Sequence, residues 1–301
     1  MRIVNPSCEL LAVTRLIANP ELSPECLIEQ AGRTCYKSDV VKCAACNGTG
    51  EIEDRSFGTY GDCLTCKGKG YVERDYAADP NPESAAKFVG RIVKRGHESV
   101  IEHASATVRF ITDRGVTHEL VRHRLASYSQ ESTRYVDYER DKHGNEIAVI
   151  EPPFSGKTAP LQKAQGLVWA SAMREAEQKY LSLRQADAPP QIARSVLPNS
   201  LKTEIVTTFN IREWCHFFRL RLAKAAHPQI RQIAYLAFTL LQIHFPTILA
   251  PLESLAKAVV EDLEALTGKG AVLRFPPPSN PYRPRCEWVF VDPAPAAPSK
   301  R

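Results

Sequence analysis

The chain has 301 residues, of which 44% are hydrophobic and 24% charged, and a formal net charge of +5. These proportions are those of a globular protein with enough chain for a substantial core, and they exclude a disordered or fibrous polypeptide. No apolar run approaches the roughly 20 residues of a membrane span, and Met1-Arg2-Ile3-Val4-Asn5-Pro6 lacks a signal-peptide core, so a cytoplasmic location is expected.

Residues 22–36 read as a helix that starts near Ser23-Pro24. Residues 40–75 then change character and become Gly-rich, cysteine-paired and short of aliphatics. Cys43-Ala-Ala-Cys46-Asn-Gly-Thr-Gly50 and Cys63-Leu-Thr-Cys66-Lys-Gly-Lys-Gly70 are near-copies separated by sixteen residues. CxxC knuckles followed by glycine suit a tetrahedral structural Zn²⁺, because the glycines let the chain fold around the sulfurs and point N–H groups at them. A redox dithiol is the competing use, and two matched pairs favour metal. The other five cysteines (Cys8, Cys26, Cys35, Cys215, Cys286) are scattered. An odd total without an export signal argues against a disulfide framework and for buried apolar fillers.

From Pro82 the helical pattern returns, with Ala86, Phe88, Val89, Ile92 and Val93 at helical spacing, and Gly96 ends it just before His97. His97-Glu98-Ser99-Val100-Ile101-Glu102-His103 gathers four ionisable groups, but its histidines are six apart, which excludes a zincin motif. A capped helix start with a solvated acidic face is the plain alternative. Ala104 to Thr112 alternates as a strand, with Ala106, Val108 and Phe110 on one face. Val116 to about Arg124 reads as a second helix. It delivers Arg122-His123-Arg124-Leu125-Ala126-Ser127-Tyr128-Ser129-Gln130-Glu131-Ser132-Thr133-Arg134, a dense set of donors suited to phosphates and a planar heterocycle. Arg122 and Arg124 lie two apart and cannot share a helix face, so they can serve two ligands. Ser132 and Arg134 follow in a loop whose backbone N–H groups can bind a phosphate.

Residues 140–160 look like a loop. Within it Ser155-Gly156-Lys157-Thr158 imitates the end of a P-loop, but Glu151 stands where the first glycine belongs. No GxGxxG opens a helix, so a Rossmann domain is not indicated. A helix over roughly 160–186 is closed by Pro189-Pro190, and Thr203 to Asn210 is β-rich. Residues 212–226 and 229–248 form two helices divided at His227-Pro228. Trp214, Phe217 and Phe218 mark the buried face of the first, and Arg221 returns to that face. An arginine there requires an anionic or hydrogen-bonding partner, either a ligand or a structural salt bridge. From Phe275 the chain is Pro-rich and ordered only in part.

Four segments carry a resemblance to one family. Arg122 to Arg134 matches RHRxxSxxxxSxR at every fixed position. Gly96 to His103 is similar to GHxSxxEH, Ala193-Arg194-Ser195-Val196-Leu197-Pro198 to AR-x-x-LP, and Asn210 to Arg221 to NxRxxxHFxxLR. In this order, over about residues 85–235, they resemble the flavin-dependent thymidylate synthases, the ThyX family. The resemblance implies an α+β fold, an antiparallel sheet flanked by long helices, and a homotetramer with shared active sites. It implies a methyltransferase that converts dUMP to dTMP with 5,10-methylenetetrahydrofolate as carbon donor, FAD as cofactor and NADPH as reductant. FAD would contact His97, Ser99, Glu102, Arg122, His123, Arg124, Gln130, Asn210, Arg212 and His216. The nucleotide would be framed by Glu119, Arg122, Gln130, Ser132, Arg134, Arg194 and Arg221, with Arg221 the catalytic residue that polarises the uracil. Ser129 and Gln130 depart from the pattern, which usually has Asn and often Glu there.

In that family the segment ending Ala31-Gly32-Arg33-Thr34-Cys35-Tyr36 runs quickly into the helix before His97. The knuckles therefore look like a zinc-ribbon-like insertion (40–75) in a synthase domain (1–275), followed by a tail (276–301). Their CxxCxGxG form is similar to the cysteine-rich region of J-domain co-chaperones. The rival reading is a zinc-ribbon nucleic-acid-binding or regulatory protein on an inactive synthase scaffold. Against nucleic acid, Glu51, Glu53, Asp54, Asp62, Glu73 and Asp75 offset the local Lys and Arg, and no aromatic-plus-basic stripe is present.

Overall fold

Alternation along Ser105–Asp113 buries Ala106, Val108, Phe110 and Thr112, and Lys202–Asn210 likewise buries Thr203, Ile205, Thr207 and Phe209. The two strands pair antiparallel from Lys202↔Asp113 to Asn210↔Ser105, so their apolar faces coincide. The structure, a computed structural model, describes residues 1–17, 19–54, 59–75, 81–140, 144–155, 158–276 and 284–291. The chain forms two units, residues 1–13 with 105–301, and residues 14–104.

The first unit begins with β1 (Arg2–Ile3) and β2 (Ser7–Val13). The second unit holds α1 (Glu25–Tyr36), β3 (Val40–Lys42), β4 (Glu51–Asp54), β5 (Thr59–Asp62), β6 (Tyr71–Glu73), α2 (Pro82–Lys94) and a 3₁₀ turn, Glu98–His103. The first unit resumes with β7 (Ser105–Asp113), α3 (Arg114–Leu120), β8 (Ala126–Gln130), β9 (Ala148–Val149), α4 (Ala159–Gln185), α5 (Pro190–Ala193) and a 3₁₀ turn, Arg194–Val196. It closes with β10 (Lys202–Asn210), α6 (Ile211–Arg221), α7 (Pro228–Gln242), α8 (Pro246–Leu249), α9 (Glu253–Thr267), β11 (Gly270–Arg274) and β12 (Arg285–Val291).

A six-stranded antiparallel sheet, β11-β12-β2-β7-β10-β8, is the frame of the first unit. Helix α6 lies on it through Trp214, whose indole donates to the Ala106 carbonyl at 3.1 Å and whose ring sits 4.5 Å from Phe209. Helix α7 buries Ile230, Ile233, Leu236, Ala237, Leu240 and Leu241. A smaller core under α4 joins Tyr138, Ile147, Val149, Met173, Tyr180, Ala193 and Leu201. Arg184 of α4 holds Asp137 through two bonds of 3.0 and 2.9 Å and so fixes the chain just beyond the Arg/Ser motif.

Several elements differ from the sequence reading, among them the helices expected over 212–226 and 229–248, which end at Arg221 and Gln242. Helix α3 stops at Leu120 rather than near Arg124, and there the Tyr128 hydroxyl lies 2.8 and 2.7 Å from the carbonyls of Leu120 and His123 and shares its one proton between them. Those bonds satisfy helix-end carbonyls and turn the chain. Residues 126–130 form an edge strand, which their serines had hidden. The expected loop over 140–160 contains β9, which pairs parallel with β1, while Gly156 and Lys157 lie outside the described residues. Within the segment taken as tail, β12 joins the sheet and buries Cys286 and Trp288 by period-2 alternation.

In the second unit α1 packs against α2, which Asn81 caps by accepting the Ser84 N–H at 2.9 Å. Gly96, at φ 72°, ends α2 as expected. Its N–H reaches Val93, and that of His97 reaches back to Ile92, a Schellman closure that sends the chain into the 3₁₀ turn.

Candidate active site and cysteine cluster

Three elements of the first unit converge on Arg221. It ends α6 at 19% side-chain exposure, and its Nε donates to His123 Nε2 at 3.1 Å. Its Nη1 donates to the Glu119 carboxylate at 3.0 Å and its Nη2 to the Glu119 carbonyl at 3.2 Å. The partner that the sequence required is thus Glu119, supplied by the last turn of α3. On its other side His123 meets Glu213 of α6, Nδ1 to Oε1 at 3.2 Å. Because Nε2 accepts from a guanidinium, the ring proton of neutral His123 sits on Nδ1 and is donated to Glu213. Burial, then Arg221, then His216 push His123 down to about 4, so the ring is neutral near pH 7. Burial raises the Glu213 carboxyl above its ordinary value. Phe217 and His216 stand edge-on to the His123 ring at 5.1 and 5.5 Å. His123, Glu213 and His216 also lie close enough to share a metal ion. The Arg221 cation on the same ring disfavours one there.

The flanking side chains face outward. Arg122 and Arg124 are exposed on either side of buried His123, so the motif splits between an interior and a rim. Arg212 and His216, one turn apart, occupy the exposed face of α6. Asn210 caps α6 by accepting the Glu213 N–H at 2.9 Å, a backbone role that its asparagine-x-x-glutamate spacing signals. Gln130 donates its amide to Thr117 and Thr203 at 2.9 and 3.2 Å, which fixes β8 beside α3 and β10. After β8 the chain turns at Ser132, whose hydroxyl accepts the Arg134 N–H at 3.3 Å. Arg194 reaches the same turn through Thr133 at 3.4 Å, so two exposed arginines, Arg134 and Arg194, meet at one hydroxyl-rich turn. Sequence reasoning passed over Tyr128 and Glu213. The alternation of Tyr128 with exposed Ser127 and Ser129, and the capping spacing of Glu213, were the available signals.

His97, Ser99 and Glu102 belong to the second unit, where all three are exposed on or beside the 3₁₀ turn. Ser99 and Glu102, three residues apart, share one edge of that turn. Gly32 of α1 packs here so closely that a Cβ on it would lie 2.5 Å from Phe88 and 3.1 Å from Val100.

Cys43, Cys46, Cys63 and Cys66 come together as the spacing predicts, their sulfurs within 4.8 Å of one another. Cys43–Cys63 and Cys46–Cys66 are 3.8 and 3.7 Å apart. Tetrahedral bonds of about 2.3 Å to one ion require sulfurs about 3.8 Å apart. The unit has an internal two-fold repeat. Gly50 and Gly70 donate N–H to the sulfurs of Cys46 and Cys66 at 3.3 and 3.2 Å, and Cys43 and Cys63 donate to the carbonyls of Gly70 and Gly50. Gly50 and Gly70 adopt φ 85° and 77°, and a Cβ on either would strike the opposite knuckle's backbone, which explains both glycines.

The arrangement has relatives. The chain is 39% identical over 162 residues to a flavin-dependent thymidylate synthase of Geobacter sulfurreducens, covering 54% of this chain and 66% of that one. With the enzyme of the same description from Pyrococcus furiosus it shares 37% over 150 residues, 50% of this chain and 59% of the relative, so the chain spans less than two thirds of these two relatives. With that of Corynebacterium diphtheriae it shares 34% over 193 residues, 58% and 73%. In fold it is similar to a UMP/dUMP methylase, PolB, from Streptomyces cacaoi, with a TM-score of 0.59 over 84% of this chain and 97% of that one at 19% identity. The sequence profile described as thymidylate synthase complementing protein, Thy1, matches residues 15–247, most of the chain, and the protein belongs to that family.

Proposed function

We propose that the chain is a flavin-dependent thymidylate synthase that methylates dUMP to dTMP with 5,10-methylenetetrahydrofolate, FAD and NADPH. The observation that carries the reading is the pairing of an Arg221–Glu119–His123–Glu213 network, buried at His123 and Glu213, with a cationic rim in a chain of this family. Arg134 and Arg194 at the Ser132–Thr133 turn suit the nucleotide phosphate, since a guanidinium fork and backbone N–H groups match a phosphate better than a flat ring. Glu119, Arg122, Gln130 and Ser132 complete the nucleotide frame. Arg124, Arg212 and His216, all exposed in the first unit, suit the anionic and hydrogen-bonding parts of FAD, and His97, Ser99 and Glu102, exposed on or beside the 3₁₀ turn of the second, are also assigned to that cofactor. When bound, the flavin supplies the hydride, and NADPH replenishes it.

Arg221 does the protein's part of the chemistry. Its guanidinium is fixed by three hydrogen bonds before substrate arrives, so it stabilises negative charge developing on the uracil without reorganising. Neutral His123 lets it do so, because an imidazolium would repel the guanidinium and release Nε2 as an acceptor. Glu213 and Tyr128 act through His123 by fixing its ring and its backbone. Ser132 positions substrate and is not a nucleophile. The active unit is a homotetramer located in the cytoplasm. Among the described residues no helix is long and apolar enough to cross a membrane.

The insertion binds one structural Zn²⁺ through Cys43, Cys46, Cys63 and Cys66. Supporting this, among the described residues the buried cluster of the insertion consists of those four cysteines with Val72 packed against them, too little apolar surface to hold the knuckles without a cross-link. Elemental analysis of chelator-free protein should give one zinc per chain, and none would end this assignment. The deciding experiment for the enzyme is tritium release from 5-tritiated dUMP, with methylenetetrahydrofolate, FAD and NADPH each omitted in turn. Release that needs both flavin and NADPH is expected, and no release from folded, flavin-loaded protein would overturn the reading.

A further inference from the structure

The insertion is not merely appended to the second unit, because Arg74, the last residue but one of it, reaches a buried carboxylate. The β3–β6 ladder ends at Val40↔Glu73, and one residue further the Arg74 N–H donates to the Asp39 carbonyl at 3.1 Å. The Arg74 side chain, 13% exposed, extends between α1 and α2, with Nη1 3.4 Å from Glu29 Oε1 and 3.2 Å from Ser84 Oγ. Glu29, on α1 and 2% exposed, also accepts Arg33 Nε at 2.8 Å and the Ser84 hydroxyl at 2.5 Å. Ser84 belongs to α2. One buried carboxylate therefore joins α1, α2 and the base of the insertion, and a donor from the insertion is part of its solvation shell.

The 3₁₀ turn touches both helices of that junction. The turn leaves α2 through the Schellman closure at Gly96, and it rests on α1 where Val100 meets Gly32. Its position is thus set by how α1 and α2 are clamped together. Arg74 directly follows β6, which pairs with β3 and, among the described residues of the insertion, has only the four cysteines and half-buried Val41 and Val72 as apolar support. A cross-link at the sulfurs would hold the ladder that leads to Arg74, and Arg74 adds a donor to a junction that Arg33 and Ser84 also bridge.

We propose that Arg74 is a positioning residue through which metal binding at the four cysteines orders the turn bearing His97, Ser99 and Glu102, and so raises the affinity for FAD. The proposal rests on the assignment of that turn to the flavin. It makes the insertion a coupling element, so that the enzyme holds its cofactor well only when the cysteine site is filled.

The test uses the full chain as purified, the same protein after zinc removal by chelation, and the variants Arg74→Ala and Arg74→Lys. FAD binding is read by flavin fluorescence, zinc by elemental analysis, and backbone order in flavin-free protein by amide hydrogen exchange over residues 82–103. Chelation should weaken FAD binding about fivefold or more, the lower end of ordinary site-to-site coupling, and accelerate exchange over residues 98–103. Arg74→Ala should do the same while retaining its zinc, and chelation of that variant should add little further loss. Arg74→Lys should recover part of the affinity, since an ammonium replaces the charge without the fork. The KM for dUMP should move less than the FAD affinity in every case. Unchanged FAD affinity and exchange after chelation, or in zinc-loaded Arg74→Ala, would overturn the proposal. Failure of the zinc-loaded wild type to bind FAD at all would overturn the flavin assignment instead, so the two failures are distinct.

Discussion

Replacing Arg221 by alanine removes three hydrogen bonds at once, and their surroundings set the consequences. His123 is 2% exposed in its side chain, so its Nε2 is left without a donor where water cannot reach, a loss of about 1–3 kcal/mol. Glu119 is 35% exposed and is resolvated, so its separation from Arg221 adds little. The fold should therefore survive, weakened by about 1–3 kcal/mol, which is a few degrees in melting temperature for a chain of this size. Turnover should fall far more, on the order of 10²–10³-fold, because a preorganised donor to developing charge is lost. Arg221→Lys separates the two effects. A lysine ammonium can donate to His123 Nε2, the contact whose loss is costly, but lacks the fork that also fixes the group at the Glu119 carboxylate and carbonyl, so stability should largely return while turnover stays low. The assay is tritium release at saturating dUMP on flavin-loaded protein, beside denaturant unfolding of the same samples. Alanine or lysine variants that turn over within about tenfold of wild type would remove Arg221 from the chemistry.

Other expectations follow from the same network. Native His123 refuses a proton until about pH 4, whereas in the unfolded chain it takes one near its ordinary value of about 6.5. Its contribution to stability is complete above pH 6.5 and is lost as pH falls toward 4, by up to about 3 kcal/mol. Glu213, raised by burial, acts in the opposite direction over part of this range. The measurement is the difference in unfolding free energy between wild type and His123→Gln across pH, and a difference that does not shrink on acidification would contradict the neutral assignment. Arg134→Ala should weaken dUMP binding by about tenfold, the loss of one charge-assisted contact, with the effect diminishing in high salt. An unchanged nucleotide affinity would move the phosphate elsewhere. Asn210→Ala should destabilise α6 by about 1 kcal/mol, and Asn210→Asp should restore the cap. Any FAD affinity that aspartate fails to restore belongs to a flavin contact of the amide rather than to capping.

Legibility in the sequence tracked the range of the interactions. The two knuckles were readable because Cys-x-x-Cys and its glycines form a local device in which each positive φ and each N–H to sulfur falls within one eight-residue copy. Strands β7 and β10 were readable because one face of each is buried, which imposes strict alternation. Strand β8 was not, since its half-buried face carries only Ala126, Tyr128 and Gln130, too weak an alternation against the serines, and its pairing is decided by Phe209 and Thr207 more than seventy residues away. The same limit applied within the site. Arg221 announced its need for a partner by standing on an aromatic helix face, but nothing near it in the chain could identify Glu119, which lies 102 residues earlier. Arg74 gave no signal at all, because its partner Glu29 precedes it by 45 residues across the insertion.

The distribution of charge separates two tasks in the proposed site. In the interior, Arg221 is matched by Glu119, His123 is neutral, and burial makes Glu213 harder to ionise, so little net charge is stored where the ring chemistry would occur. The excess positive charge lies outside, on exposed Arg122, Arg124, Arg134, Arg194 and Arg212. Those groups are solvated and screened, so in the proposed site they would attract anionic ligands in a salt-dependent way without much altering the barrier to reaction. Arg221 has the opposite character, being poorly hydrated, fixed at three points and little affected by salt. The RHR motif places both kinds of residue side by side because α3 ends early. Had the helix run on through Arg124, His123 would have followed helical geometry away from the Leu120 and Tyr128 turn, and the Nε2–guanidinium bond that orients Arg221 would have no counterpart. The termination of α3 by Tyr128 is thus the local event on which the division between binding and chemistry depends.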